Sequence, residues 1–276
     1  MNNIKSRHRI YRLPIIGPLI VAILMMVAHT LISSFVAYIV NGILYLDPAI
    51  GQICGTIIAS LALILFYHIL HRRFEGFLVG GKMSVGFKMA LIIPIYLGLS
   101  IIFNIVMGEH ISLSGITLGV IATSLAAGCA EEIVFRGYIV STLMEDHKDD
   151  QNYMSVAITS AIVFALIHLV NMAAGANIAR TFTQVINAFF IGFFFAVMYL
   201  RSGNLIPGII GHTFNDIIAI GLSADVTEAG VISGGITPET IFNMLLCVGL
   251  GIVAYNILNS GKVDEMRTLW HAKWNN

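Results

Sequence analysis

The chain has 276 residues and a mass of 30.0 kDa; hydrophobic residues make up 57% of it, charged residues 11%, and its mean hydropathy is +0.87. Fifteen basic and fifteen acidic residues cancel to a formal net charge of zero. A soluble domain carries about 25% charged residues, so a water-soluble globule, a disordered chain and a collagen-like repeat are excluded, and the neutral balance leaves no footprint for nucleic acid.

What remains is an all-α, polytopic membrane protein. A hydrocarbon core of about 30 Å takes about 20 apolar residues per helix. The apolar runs are long and continuous rather than short alternating stretches, which selects helices over a barrel. The pattern predicts eight spans in one membrane domain covering residues 1–276: 13–45, 50–71, 87–107, 114–145, 153–172, 182–200, 204–222 and 240–258. The first follows Lys5, Arg7, Arg9 and Arg12 but exceeds the roughly 7–15 residues of a signal-peptide core, so it reads as a retained anchor. Gly51-x-x-x-Gly55 and Gly115-x-x-x-Gly119 carry the spacing of close helix contacts. Cys54, Cys129 and Cys247 lie singly in apolar runs and read as packing residues rather than a disulfide framework.

Eight spans put both termini on one side, and the distribution of basic residues names it. With the N-terminus in the cytoplasm, thirteen of the fifteen Lys and Arg residues fall in cytoplasmic segments; Arg180 alone faces outward and Arg136 sits within a span. The outer 223–239 segment holds acids and no basic residue. The expected location is a cytoplasmic membrane, with both termini inside.

Ionisable groups within a bilayer are costly, and each one requires a reason. Glu131, Glu132 and Arg136 lie in the fourth span, His168 in the fifth, and His212, Asn215 and Asp216 in the seventh. The fourth and fifth spans form a hairpin centred near residue 149, with Glu131 18 residues before that centre and His168 19 residues after it. At about 1.5 Å per residue both stand some ~27 Å of helix from the turn, and His212 and Asp216 lie roughly 13–20 Å beyond Asn204. One polar slab, reached from the cytoplasm, is expected. Glu132 and Arg136 form an i,i+4 ion pair, which makes their burial tolerable. Glu131 points about 100° away from Glu132 and is left for other work. A buried carboxyl beside a histidine has the makeup of a general base.

Glu-Glu-x-x-x-Arg at 131–136, Phe-x-x-x-His at 164–168 and His-x-x-x-Asp at 212–216, on successive apolar helices, resemble the CPBP intramembrane proteases. That family name covers type II CAAX prenyl endopeptidases, Abi proteins and bacteriocin-processing or self-immunity proteins. The resemblance covers about residues 115–220. It implies that Glu131 and His168 activate a water, that Glu132 and Arg136 shape the site, and that His212 and the residue four further on stabilise an oxyanion. That residue is Asp216, where prenyl endopeptidases carry Asn. An ionised aspartate cannot donate to an oxyanion. Asp216 is therefore protonated, or orients His212 from one turn away, or ligates a metal, and Asn215 is a second candidate donor. The family has been described both as metalloproteases and as metal-free glutamate proteases. The metal-free form is expected; in the zinc alternative the ligands are Glu131, His168, His212 and Asp216.

These readings converge on an intramembrane endopeptidase of bacterial type. It hydrolyses a peptide bond in a membrane-associated peptide or protein, with CAAX-protease-like chemistry, in bacteriocin processing or self-immunity. The alternative from a different class is a non-catalytic immunity or partner-binding membrane protein that uses the same buried network. A proton-coupled transporter with Glu131 as relay ranks below both, since no inverted repeat is visible. Other polar groups read as structural or peripheral: His29 as a helix contact, His68, His71, His147 and His271 as interfacial or solvated, and Gln184 and Asn187 as bordering the cavity. The sixteen Phe and twelve Met residues read as packing or lipid-facing side chains.

Overall fold

The computed structural model describes residues 13–149, 151–173, 175–223 and 237–274. The basic N-terminal run Lys5–Arg12 and most of the acidic 223–239 segment lie outside the described residues. Among the described residues the chain is helical, without strands.

Helix α1 spans Ile16–Leu44 and α2 spans Pro48–Leu70, where the Asp47 carboxylate accepts from the Ala49 amide and Pro48 opens the first turn. Both devices suit a helix start, since the first turn's amides lack partners and proline has none to lose. Next come α3 (Met83–Ala90) and α4 (Ile92–Val106), joined end to end. Thr117 caps α5 (Leu118–Glu131), which runs on through a π-helical segment, Glu132–Val140, into α6 (Ser141–His147). Helix α7 covers Tyr153–Ile167, followed by the short α8 (Val170–Ala173). Asn177 caps α9 (Ile178–Ser202), which ends on Gly203 at φ 64°, a left-handed stop that glycine adopts without a Cβ clash. Helices α10 (Ile206–Ser223), α11 (Pro238–Leu258) and α12 (Val263–Trp274) complete the chain.

Among the described residues, seven helical stretches are long and apolar enough to cross a membrane, against eight expected; the seventh expected span, α10, is the shorter one. Its polar His212, Asn215 and Asp216 interrupt an apolar run, and its 18 residues measure about 27 Å. It nevertheless reaches from the 203–205 turn to the opposite end of the bundle, where Gly221 abuts Ile116.

Close approach explains one glycine pair and not the other. Gly51 and Gly55 face the Asn41 side chain and the Ser33 backbone of α1, leaving no room for a Cβ, whereas Gly119 meets only its own Thr117. His29 joins the same α1–α2 seam by a 3.2 Å hydrogen bond to Ser60. The helices pack pairwise in a closed circuit, α5–α2–α1–α7–α9–α11–α4–α10 and back to α5, around the π segment.

Helix α12 was not foreseen from the sequence. Its Trp270 and Trp274 indoles donate to the carbonyls of Leu200 (3.0 Å) and Ser141 (3.1 Å). The Lys273 ammonium donates to those of Gly76 (2.8 Å) and Val79 (3.0 Å). His271 meets Asp149 at 3.0 Å, and Glu265 pairs with Lys82 at 3.1 Å. Lys273 is thus a buried clamp rather than a solvated loop charge. These contacts place the 71–82, 203–205 and 259–262 connections, with Asp149, at one end, the end rich in Lys and Arg. The three cysteines are free thiols.

Candidate active site

Glu132 is the centre of the buried part of the site. Its Oε1 lies 2.9 Å from the Arg136 guanidinium and 2.9 Å from His212 Nδ1. A carboxylate accepts only, so Nδ1 carries the proton and donates. The i,i+4 pairing expected from spacing is present, and it is completely buried. Arg136 also donates to the Gly192 carbonyl of α9 at 2.9 Å. Its guanidinium lies 4.6 Å from the centroid of Phe164 and 5.5 Å from that of Phe195. The carboxylate, the Gly192 carbonyl and two aromatic faces make the burial of this guanidinium tolerable, although its buried Nε has no hydrogen-bond partner. The π segment helps. Every residue in it is buried, and its irregular ladder leaves the Phe135 carbonyl to accept from Ser160 at 3.0 Å. Local π geometry often marks functional positions.

With Nδ1 committed to Glu132, His212 Nε2 faces the accessible part of the site. It lies 3.5 Å from Glu131 Oε2 and 3.7 Å from Asp216 Oδ2. Asn215 donates to the other Asp216 oxygen at 3.1 Å. The ring is fixed by stacking on Phe195, 5.1 Å between centroids at 14°, and by the edge of Phe164 at 5.9 Å. Gly208 leaves the space beside Glu132 that a Cβ would enter at 3.0 Å.

His168 ends α7. Its Nδ1 lies 2.8 Å from the Phe164 carbonyl, which can only accept, so Nδ1 carries a proton and donates. His168, His212, Asp216 and Arg136 all stand within electrostatic range of the Glu131 carboxyl. Two tiers result: Glu131 and Asp216 remain about one-fifth exposed and His168 is half-buried, while Glu132, Arg136 and His212 are sealed behind them.

The structure therefore brings together Glu131, Glu132, Arg136, His168, His212, Asn215 and Asp216. Of the two expected border residues, Gln184 accepts from Asn171 at 2.8 Å, and Asn187 holds a buried side-chain oxygen with no partner. Sequence reasoning missed Gly192 and Phe195, which form the back wall from α9. Phe195 sits in a Phe193-Phe194-Phe195 run that reads as packing, and no spacing signal separates it from its neighbours.

Toward the basic end, Tyr138, Val140, Met144, Met198, Leu200, Leu205, Trp270 and Trp274 are buried. Among the described residues no group of three or more His, Cys, Asp or Glu is disposed to hold a metal ion; Nδ1 of His168 and of His212 is engaged by Phe164 and Glu132, which leaves the two Nε2 atoms for other partners.

Carboxylates, imidazoles and a guanidinium thus meet in the interior of a helical membrane bundle. Residues 112–218, which contain every side chain of this site, match the family described as "Type II CAAX prenyl endopeptidase Rce1-like". The match supports a CPBP family intramembrane protease. No curated protein and no solved structure matches the chain.

Proposed function

We propose that the protein is a CAAX-protease-like intramembrane endopeptidase working through a Glu131-activated water without a metal ion. The observation that carries this reading is the pairing of an accessible Glu131 carboxyl with a His212 Nε2 only 3.5 Å away, on a ring whose other nitrogen is anchored to Glu132. A water between Glu131 and the free Nε2 of His168 gives up a proton to Glu131 as its oxygen attacks the scissile carbonyl carbon. The oxyanion that forms accepts from the protonated His212 Nε2. Collapse breaks the C–N bond, and Glu131 returns the proton to the leaving amine. Preorganised donors of this kind act strongly in a site shielded from bulk water.

Asp216 holds His212 from one turn away, the second of the three roles open to it, and Asn215 fixes Asp216 while keeping one amide N–H for the oxyanion. The lysines and arginines of the basic end support assigning that end to the cytoplasm. Bacteriocin processing or self-immunity is the biological setting this reading carries forward.

The test uses purified protein in nanodiscs with a peptide library, in water enriched in ¹⁸O, with cleavage read by mass spectrometry and bound zinc measured on the same sample. The expected result is one ¹⁸O in each new carboxylate, no stoichiometric zinc, and loss of cleavage in His168→Ala and His212→Ala. Zinc at one per chain that leaves together with activity would contradict the metal-free mechanism.

A further inference from the structure

We infer that the apolar cavity at the basic end is a lipid site: it seats the end of one acyl chain of an anionic phospholipid whose phosphate is held by Arg72 and Arg73. The site lies apart from Glu131 and its neighbours and is independent of the protease reading.

The cavity measures about 230 Å³ and lies between the last two turns of α2 and the loop that follows, lined chiefly by Ile64, Tyr67, His68, Phe74, Phe77 and Leu78. Pockets that enclose a whole small molecule run to roughly 300–1,000 Å³, so this one takes part of a chain. Its walls are fixed. The Tyr67 hydroxyl meets that of Thr142 at 3.0 Å, and the Tyr67 ring packs on Phe77 and on Tyr138, both at 4.7 Å between centroids. Lys273 holds the loop through the Gly76 and Val79 carbonyls, and Phe74 rests on Trp274 at 4.9 Å. Fixed apolar walls gain dispersion contacts from a close-fitting chain.

Position and charge name the lipid. Leu61, Leu65, Ile69 and Leu70, at the same end of α2, are exposed and face lipid, so the cavity stands where acyl chains meet headgroups. Within a bilayer apolar walls alone select nothing, because every lipid tail is equally apolar; a choice needs charge. Arg72 and Arg73 come just after α2, between the lining residues His68 and Phe74. Both are exposed, and among the described residues neither has an ion-pair partner. The loop's own acid, Glu75, is committed elsewhere: its carboxylate lies over Gly80, 4.0 Å from Lys273. Guanidinium groups match phosphate oxygens in geometry as well as charge, and each basic residue near the surface favours an anionic lipid about fivefold.

The test is native mass spectrometry of delipidated protein titrated with phosphatidylglycerol, phosphatidylcholine or glycerol phosphate, the last being a headgroup without chains. Phosphatidylglycerol is expected to bind about tenfold tighter than phosphatidylcholine, and excess glycerol phosphate is expected not to displace it. Arg72→Gln combined with Arg73→Gln, both at exposed positions, brings the two lipids level. Ile64→Phe, which narrows the cavity, weakens both. A second measurement needs no substitution. The chain's two tryptophans, Trp270 and Trp274, lie in α12, and Trp274 stands against the cavity wall. Phosphatidylglycerol with brominated acyl chains is expected to quench their fluorescence at a lower mole fraction than brominated phosphatidylcholine. Equal binding of the two lipids by the wild type, a preference that survives loss of both arginines, or displacement by glycerol phosphate overturns the inference. So does binding that Ile64→Phe leaves unchanged, or quenching that is the same for both headgroups.

Discussion

Asp216 shows how one side chain separates two accounts of the site. Its Oδ2 lies 3.7 Å from His212 Nε2 and its other oxygen is held by Asn215. If its task is to aim His212, a neutral amide of the same shape serves nearly as well, because the carbonyl oxygen remains an acceptor. Asp216→Asn is therefore expected to keep kcat within about tenfold, while Asp216→Leu, which leaves Nε2 without an aligning partner, lowers it about 10²-fold, the scale of losing one well-aimed oxyanion donor. Steady-state kinetics on both variants checks this; equal loss in the two would assign Asp216 a role that needs its charge. Glu132 is the contrasting case. Its spacing to Arg136 alone identified the ion pair, because i,i+4 geometry is local. Its bond to His212 spans 80 residues, and no local rule contains it.

At the scale of elements, the π segment and the α5–α10 contact set the site. Gly128 faces α10 so closely that a Cβ would stand 3.0 Å from the Thr213 amide nitrogen, beside the Thr213 hydroxyl. Gly128→Val is expected to push α10 outward, carrying His212 off Glu132, and to lower kcat by about 10²-fold, as a displacement of about 1 Å at a positioned group does. Kinetics together with thermal unfolding checks it, and unchanged kcat would show that the α5–α10 spacing is not critical. The helices and most of their limits were legible because hydropathy is read over windows of about 20 residues. The motif residues were legible because charge inside a span is rare. Phe195 and Gly192 were not legible: their importance comes from α9 lying against Arg136, a tertiary fact with no periodic signature.

For the molecule as a whole, α12 ties together the basic end. Burial lowers the Lys273 pKa to about 8, although Glu75 stands 4.0 Å away and acts in the other direction. Between about 8 and the ordinary value of 10.5 the unfolded chain holds this proton and the folded one does not. Stability must then rise with pH across that interval. Thermal unfolding of the wild type relative to Lys273→Met is expected to show a Tm difference that grows in favour of the wild type from pH 8 to 10; a flat difference would mean that Lys273 stays charged when docked. The central claim has one most direct measurement: the turnover of purified Glu131→Gln on a peptide that the wild type cleaves, with Tm recorded on the same samples. The account predicts a loss of about 10²–10⁴-fold, the contribution of a general base, at unchanged Tm. Turnover within a few-fold of wild type would contradict it.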